Sequence, residues 1–151
     1  MATKAYRRIL VATDGSARAR RAARTAAALA GKAGARLLAV CVVLERVPTL
    51  FDAGLYASPA LSPQLRKLLR YEADQALHDV EREARRHGVT CETHRVHGAH
   101  AWKSIIGTAR RQGCDLIVMG SHGRDAMAAA LLGSETMRVL AHSKIPLLVC
   151  R

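Results

Sequence analysis

An open, parallel α/β sheet with helices on both faces is predicted for this chain of 151 residues by three observations. Short apolar runs alternate with helical segments from one end of the chain to the other. Five such runs are separated by four segments long enough to be crossovers, which parallel neighbours require. One run, Ala35 to Leu44, is almost continuously apolar, the mark of a strand covered on both faces. No repeat or low-complexity linker divides the chain, so residues 1–151 are expected to form one domain.

Arg8 to Thr13 is the first strand, closed by Asp14-Gly15-Ser16. Ser16 is placed to cap an Ala/Arg-rich helix that runs to about Lys32, with Gly31 and Gly34 as stop signals. Ala35–Leu44 follows as the second strand, and Glu45 to Pro63, with three prolines and a glycine, reads as a long loop. Leu65 to His87 has the alternating charge of a solvent-facing helix and ends at Gly88. Val89 to Val96 is a more polar strand suited to a sheet edge. His100–Gln112 is helical, Asp115–Met119 is a short buried strand, and Gly120 to Leu132 is a glycine-bearing loop. Gly133-Ser134 opens a helix to His142, and Ile145–Cys150 is the last strand, with Pro146 tolerable near its start.

Charge and composition narrow the function classes. There are 24 Lys+Arg against 12 Asp+Glu, a formal net charge of +12. Half the residues are hydrophobic, which excludes a disordered polycation. The five aromatic residues, Tyr6, Phe51, Tyr56, Tyr71 and Trp102, are too few for a stacking platform for single-stranded nucleic acid. The longest aliphatic run, Leu37 to Leu44, is far short of the roughly 20 residues that span a bilayer. The basic start leads into an apolar run that stops at Asp14-Gly15, too soon for a signal peptide. Cys41, Cys91, Cys114 and Cys150 are widely spaced without a Cys-x-x-Cys pair, as in a reduced cytoplasmic protein rather than a zinc or disulfide framework.

The chemistry lies between Met119 and Ser134. Gly120 directly follows a buried strand, where a β-carbon would keep a ligand from the backbone, and Gly123 is free to take a positive φ. Ten residues on, Gly133-Ser134 opens a helix whose first N–H groups and positive dipole end favour an anion. A phosphate chain fits between the two. The alternative is that these glycines only end a strand and cap a helix. Asp14 likewise suits either a ligand contact or a helix-capping turn.

Gly120-x-x-Gly123, nine residues and then Gly133-Ser134 resembles the nucleotide-binding signature of the universal stress protein family. The resemblance covers nearly the whole chain. Ile9-Leu-Val-Ala-Thr-Asp-Gly-Ser16 is similar to the family's first strand and acidic turn, Asp115 to Arg124 to its fourth strand and loop, and Ile145 to Cys150 to its last strand. It implies the strand order 3-2-1-4-5, which sets Thr13-Asp14 and Gly120–Gly123 at one crevice, the topological switch point where open α/β sheets bind ligands.

It further implies an adenine nucleotide, ATP first and AMP or ADP otherwise, with Mg2+ accompanying it. Asp14 would lie near the nucleoside and Val42 would offer backbone groups to the adenine edge. Ala12, Thr13 and Met119 would line the pocket, while Gly120, Gly123, Gly133 and Ser134 would hold ribose and phosphates. Arg124 would assist electrostatically. Glu135 departs from the family's small or aliphatic residue; its carboxylate would repel a phosphate unless it turned outward, and at a helix start it also complements the dipole. His122 falls inside the glycine loop. The resemblance also implies a homodimer paired through the last strand, and a role in stress response or signalling.

No catalytic set emerges: the loop has no lysine of a P-loop and no base placed to activate water. A phosphate-accepting receiver domain would need an acidic residue where His97-Gly98 stand, and a flavodoxin-like carrier a longer, uncharged phosphate loop than Thr13 to Ser16. A family member without nucleotide, or a basic polyanion-binding or nucleic-acid-binding protein, remain the alternatives. The charge is concentrated. Residues 1–36 hold nine Lys/Arg and one acid, and Arg18, Arg20, Arg21 and Arg24 lie on the first helix. Leu65–His87 is nearly balanced, six basic against five acidic. A basic patch on the first helix, available to an acidic partner protein, is expected rather than a uniform nucleic-acid coat.

Overall fold

The computed structural model describes residues 5–45, 61–123 and 132–151. Five parallel strands stand in the order β3-β2-β1-β4-β5: β1 (Arg8–Ala12), β2 (Arg36–Leu44), β3 (Cys91–Gly98), β4 (Leu116–Gly120) and β5 (Leu147–Cys150). Four helices connect them: α1 (Ala17–Ala33), α2 (Pro63–Arg86), α3 (Ala101–Arg111) and α4 (Ser134–His142). The central strand β1 pairs Ile9 with Leu37 of β2 and with Leu116 of β4. Its residues Ile9, Leu10 and Val11 are fully buried, as a strand covered on both faces must be.

Side chains alternate across the pleat, and the core therefore divides in two. Ile9, Val11, Leu37 and Val118 meet α1 and α2 on one face. Leu10, Leu38, Val40 and Ile117 meet Ile105 of α3 and Val139 of α4 on the other. β3 and β5 form the edges and are only half-buried, which explains the polar sequence of β3. At the amino-terminal end of the sheet, Glu92 of β3 pairs with Arg8 of β1 at 2.8 Å and Arg36 of β2 at 2.7 Å. Asp115 accepts from the Arg7 and Arg8 N–H groups at 2.8 and 3.1 Å, fixing the entry to β1.

The helix ends account for where the expected boundaries move. Gly31 is not a stop: it lies inside α1, where a β-carbon would come within 3.3 Å of the His87 carbonyl at the end of α2. α1 ends instead at Gly34, whose φ of 62° is left-handed and lets Ala35 N–H reach the Ala30 carbonyl at 2.9 Å. Gly88 ends α2 in the same way, with Val89 N–H on the Ala84 carbonyl at 2.9 Å. Val89 thus belongs to the helix end, and β3 starts at Cys91 rather than Val89. At the other end of α2, the Ser62 hydroxyl accepts from Leu65 N–H and Pro63 takes the first helical position, two residues before Leu65. Pro146 stands just outside β5, and its carbonyl accepts from Ile117 N–H at 2.9 Å.

α1 approaches the sheet closely because all six of its fully buried residues are alanines: Ala19, Ala22, Ala23, Ala26, Ala27 and Ala30. Among the described residues no helix is long and apolar enough to cross a membrane. Phe51 and Tyr56, with the rest of 46–60, lie outside the described residues, as does Arg124.

Candidate functional site

The strand order reverses between β1 and β4, and the chain leaves both strands at the same end of the sheet. One step beyond the paired Val11 and Val118, Ala12 stands level with Met119 and Thr13 with Gly120. Ala12, Val42 and Met119 pack into one cluster on the α3/α4 face. Thr13 extends the ladder, donating its N–H to the Val40 carbonyl at 2.9 Å. Its side chain is spent locally, because the hydroxyl accepts from Gly15 N–H at 3.2 Å and the residue is buried.

Asp14 closes the β1–α1 turn: Oδ1 accepts from Ser16 N–H at 2.9 Å, and the Ser16 hydroxyl caps α1 by accepting from Ala19 N–H at 3.2 Å. Its other oxygen, Oδ2, is directed at Gly123, where a β-carbon would lie only 2.6 Å away. The turn after β1 and the loop after β4 are thus in contact, and Asp14 is engaged on both sides. Gly123 is not among the positive-φ glycines; close approach, rather than an unusual dihedral, is what its lack of a side chain permits. Gly120 also has a reason other than the one expected. A β-carbon there would meet the Arg18 carbonyl carbon at 3.0 Å and Ala19 N at 3.2 Å, so its bareness admits the first turn of α1.

Gly133 closes the constellation. Its N–H donates to the Ser121 carbonyl at 2.6 Å, and a β-carbon would stand 3.2 Å from the His122 Cα. The Thr136 hydroxyl latches back onto the Gly120 carbonyl at 3.0 Å, while Ser121 N–H donates to the Cys150 carbonyl at 2.7 Å. Gly123 and Gly133 thereby lie beside one another, and Gly120 is tied to the first turn of α4 through Thr136. Ser121 and His122 are buried beneath them. The His122 Nδ1 lies 3.3 Å from the Ser121 hydroxyl, and Nε2 has no hydrogen-bond partner among the described residues. The ring is buried.

The four helices differ at their amino ends. α1 and α2 are capped by Ser16 and Ser62. α3 has no cap of its own, but Glu135 of α4 supplies one: Oε2 accepts from Trp102 N–H at 2.7 Å. Oε1 accepts from Arg138 at 3.0 Å. The carboxylate is thus turned away from the start of its own helix. α4 begins at Gly133 with no side-chain cap, and among the described residues nothing accepts from the Ser134 or Glu135 N–H groups. Ser134 itself is exposed. What remains is a helix start with free donors, a positive dipole end and a glycine loop against it, an arrangement suited to an anion.

The sequence offered a sign of the Glu135 cap that spacing alone does not decode: α3 starts after Ala99-His100, without Ser, Thr, Asp or Asn at the cap. The Thr136 latch and the burial of His122 had no such sign. Two of the thiols, Cys91 and Cys114, are shifted away from activation. Burial first, and then the Glu81 carboxylate, push Cys91 up to about 11, and burial raises Cys114 to about 11. Among the described residues no three His, Cys, Asp or Glu side chains gather to hold a metal ion.

Known proteins share this fold. The model of the Universal stress protein family matches residues 5–151. A universal stress protein of Thermus aquaticus, encoded in the QAH/OAS sulfhydrylase 3′ region, is 35% identical over 147 residues, covering 97% of this chain and 99% of its own. The universal stress protein UspA from Lactobacillus plantarum superposes with a TM-score of 0.78 at 28% identity, over 97% of this chain and 98% of its own. A universal stress protein solved in complex with cAMP gives 0.71 at 28% identity, covering 97% and 98%. By the extent of these matches, and by a glycine loop set against an uncapped helix at the switch point, the chain belongs to the universal stress protein family.

Proposed function

We propose that this chain is an adenine-nucleotide-binding universal stress protein, with ATP as its first-choice ligand and a role in stress response or signalling. The observation that carries the reading is the uncapped start of α4 held against the 120–123 loop, the one helix start among the described residues left without a side-chain acceptor. A relative of the same fold, 28% identical, is a complex with cAMP, which supports an adenine nucleotide as the class. In this reading the Ser134 and Glu135 N–H groups and the Ser134 hydroxyl receive phosphate oxygens, as helix starts do. Gly120, Gly123 and Gly133 form the cradle, Gly133 beside Gly123 and Gly120 joined to α4 by the Thr136 hydroxyl. Ala12, Val42 and Met119 offer the apolar wall for the base, and Asp14 stands at the nucleoside. Arg124 adds positive charge to the phosphates. Mg2+ would accompany the nucleotide rather than be held by a protein ligand set, since among the described residues no three His, Cys, Asp or Glu side chains gather.

The same reading takes the chain as one domain, cytoplasmic, and a homodimer formed through β5, whose half-buried Leu147, Leu148 and Val149 would find a partner strand. No catalytic residue is assigned. Isothermal titration of the purified protein with ATP, ADP, AMP and cAMP, with and without Mg2+, tests the nucleotide reading. Binding with one-to-one stoichiometry is expected, and it should be lost when Gly133 is replaced by a bulky residue. Absence of heat and of any thermal stabilisation at millimolar nucleotide would discard it.

A further inference from the structure

Two helix starts flank the crevice, on opposite faces of the sheet. α1 follows β1 and packs on one face, whereas α4 follows β4 and packs on the other. Because β1 and β4 are parallel neighbours, both helices begin at the same end of the sheet, and their first turns stand on either side of the switch point. α4 offers uncapped N–H groups there. α1 is capped by Ser16, whose hydroxyl accepts from Ala19 N–H at 3.2 Å, so its contribution to the crevice falls to a side chain.

Three arginines at the start of α1 stand over three different strand ends. Arg20 donates to the Gly15 carbonyl at 2.6 Å, in the turn after β1. Arg21 donates to the Arg151 carbonyl at 3.2 Å, directly after β5. Arg18 lies at the end of β4, where a β-carbon on Gly120 would stand 3.1 Å from the Arg18 Cβ. The neighbouring strands β1, β4 and β5 are thus matched by Arg20, Arg18 and Arg21. Arg18 is exposed, and no hydrogen bond or salt bridge to a described residue holds its guanidinium. Other cations also lack a partner; what distinguishes Arg18 is its root against the strand that opens into the 120–123 loop.

A phosphate in this crevice calls for a cation. The Asp14 carboxylate stands at the same end of the sheet, 2.6 Å from where a β-carbon on Gly123 would lie, and it opposes an anion beside it. The start of α4 supplies only about half a positive charge. We propose that Arg18 is a phosphate-binding residue of the crevice, meeting the phosphates of the nucleotide from the α1 side while the start of α4 meets them from the other. The inference rests on the nucleotide reading above. A guanidinium presents two parallel N–H donors to a pair of phosphate oxygens, and its attraction grows with the charge of the ligand. Arg18 therefore favours ATP over AMP.

Isothermal titration of wild type, Arg18→Gln, Arg18→Lys and Arg24→Gln with ATP and with AMP tests it. Arg24 is also exposed on α1 but about 9 Å further along the helix, so Arg24→Gln removes the same charge without the contact. Arg18→Gln should weaken ATP about tenfold, the usual effect of losing a hydrogen bond to a charged group, and AMP by less. Arg18→Lys, which keeps the charge and loses the fork, should fall between wild type and Arg18→Gln. Arg24→Gln should stay within about twofold of wild type, as expected of an exposed charge at that distance. All three variants should melt at the wild-type temperature. An Arg18→Gln affinity within about twofold of wild type, an equal loss in Arg24→Gln, or an equal loss for AMP and ATP would overturn the role of Arg18 and leave the nucleotide reading standing. A wild-type protein that binds neither nucleotide would discard both.

Discussion

Glu135 of α4 reaches across to α3 and accepts the Trp102 N–H at 2.7 Å. An acid at the head of one helix is thereby the cap of another, and the α3–α4 layer is joined through it. Trp102 completes the junction by stacking on His142 with ring centroids 4.6 Å apart. The arrangement resolves the conflict of a carboxylate at the proposed anion-binding helix start, because the charge is engaged by Trp102 N–H and Arg138.

Glu135→Ala should therefore cost about 1 kcal/mol, the usual worth of an N-cap, and lower Tm by roughly 2–4 °C for a chain of this size. Glu135→Gln, which retains an acceptor for Trp102, should cost less. ATP affinity by titration should not fall in either variant. A marked loss would mean that the carboxylate serves the ligand directly.

At Gly123 the nearest obstacle to a side chain is the carboxylate of Asp14, 2.6 Å from where a β-carbon would sit. Gly123→Ala must push the two apart, and Asp14→Ala removes the obstacle. A double-mutant cycle in urea should then return a coupling of about 0.5–3 kcal/mol, with the double variant less damaged than the sum of the singles. Additive losses would show that the β1 turn and the β4 loop do not touch in solution.

Gly120→Ala meets backbone, which cannot swing aside. With Arg18 C at 3.0 Å and Ala19 N at 3.2 Å, α1 must move off the sheet, and overpacking of this kind costs about 1–3 kcal/mol. Chemical denaturation measures it directly. An unchanged midpoint would return Gly120 to the role of a ligand-approach position alone.

Cys91 and Cys114 make stability fall in alkali. Both thiols are held near 11 in the fold against 9.0 in the unfolded chain. Between these values the unfolded state has released protons that the native state retains, so stability decreases as pH rises. The contribution is whole below pH 9 and is lost as pH climbs through about 11. Thermal melts from pH 8 to pH 11 should show the decline, and Cys91→Ala/Cys114→Ala should flatten it. The same burial predicts slow alkylation of both thiols by iodoacetamide at pH 8 in the native protein.

The sheet was legible in the sequence because its signals are strong and local. Five apolar runs, the near-continuous Ala35–Leu44 segment and Ser16 before α1 each act within a few residues. Boundaries slipped where two signals competed. Gly31 looked like a stop, yet Gly34 has the left-handed backbone that ends the helix, while Gly31 answers to α2, more than 50 positions away. The glycines of the loop were visible as a pattern, but their reasons were not. Gly120 depends on α1 and Gly123 on Asp14, contacts that exist only once β1 and β4 lie side by side. His122 falls inside the glycine loop by its position, and its burial is set by the folded loop, which no local pattern announces.

The alanine face of α1 has a consequence for how this sequence can drift. Beside the partly buried Leu29, six small residues offer little to interlock with the sheet, so the helix is positioned largely by the room denied to larger side chains. Substitution there is closed in both directions: a larger residue forces the helix outward, and glycine gives up about 1 kcal/mol of helix propensity. These positions should remain alanine among close homologues even in members that bind no ligand, an invariance that belongs to clearance and not to chemistry.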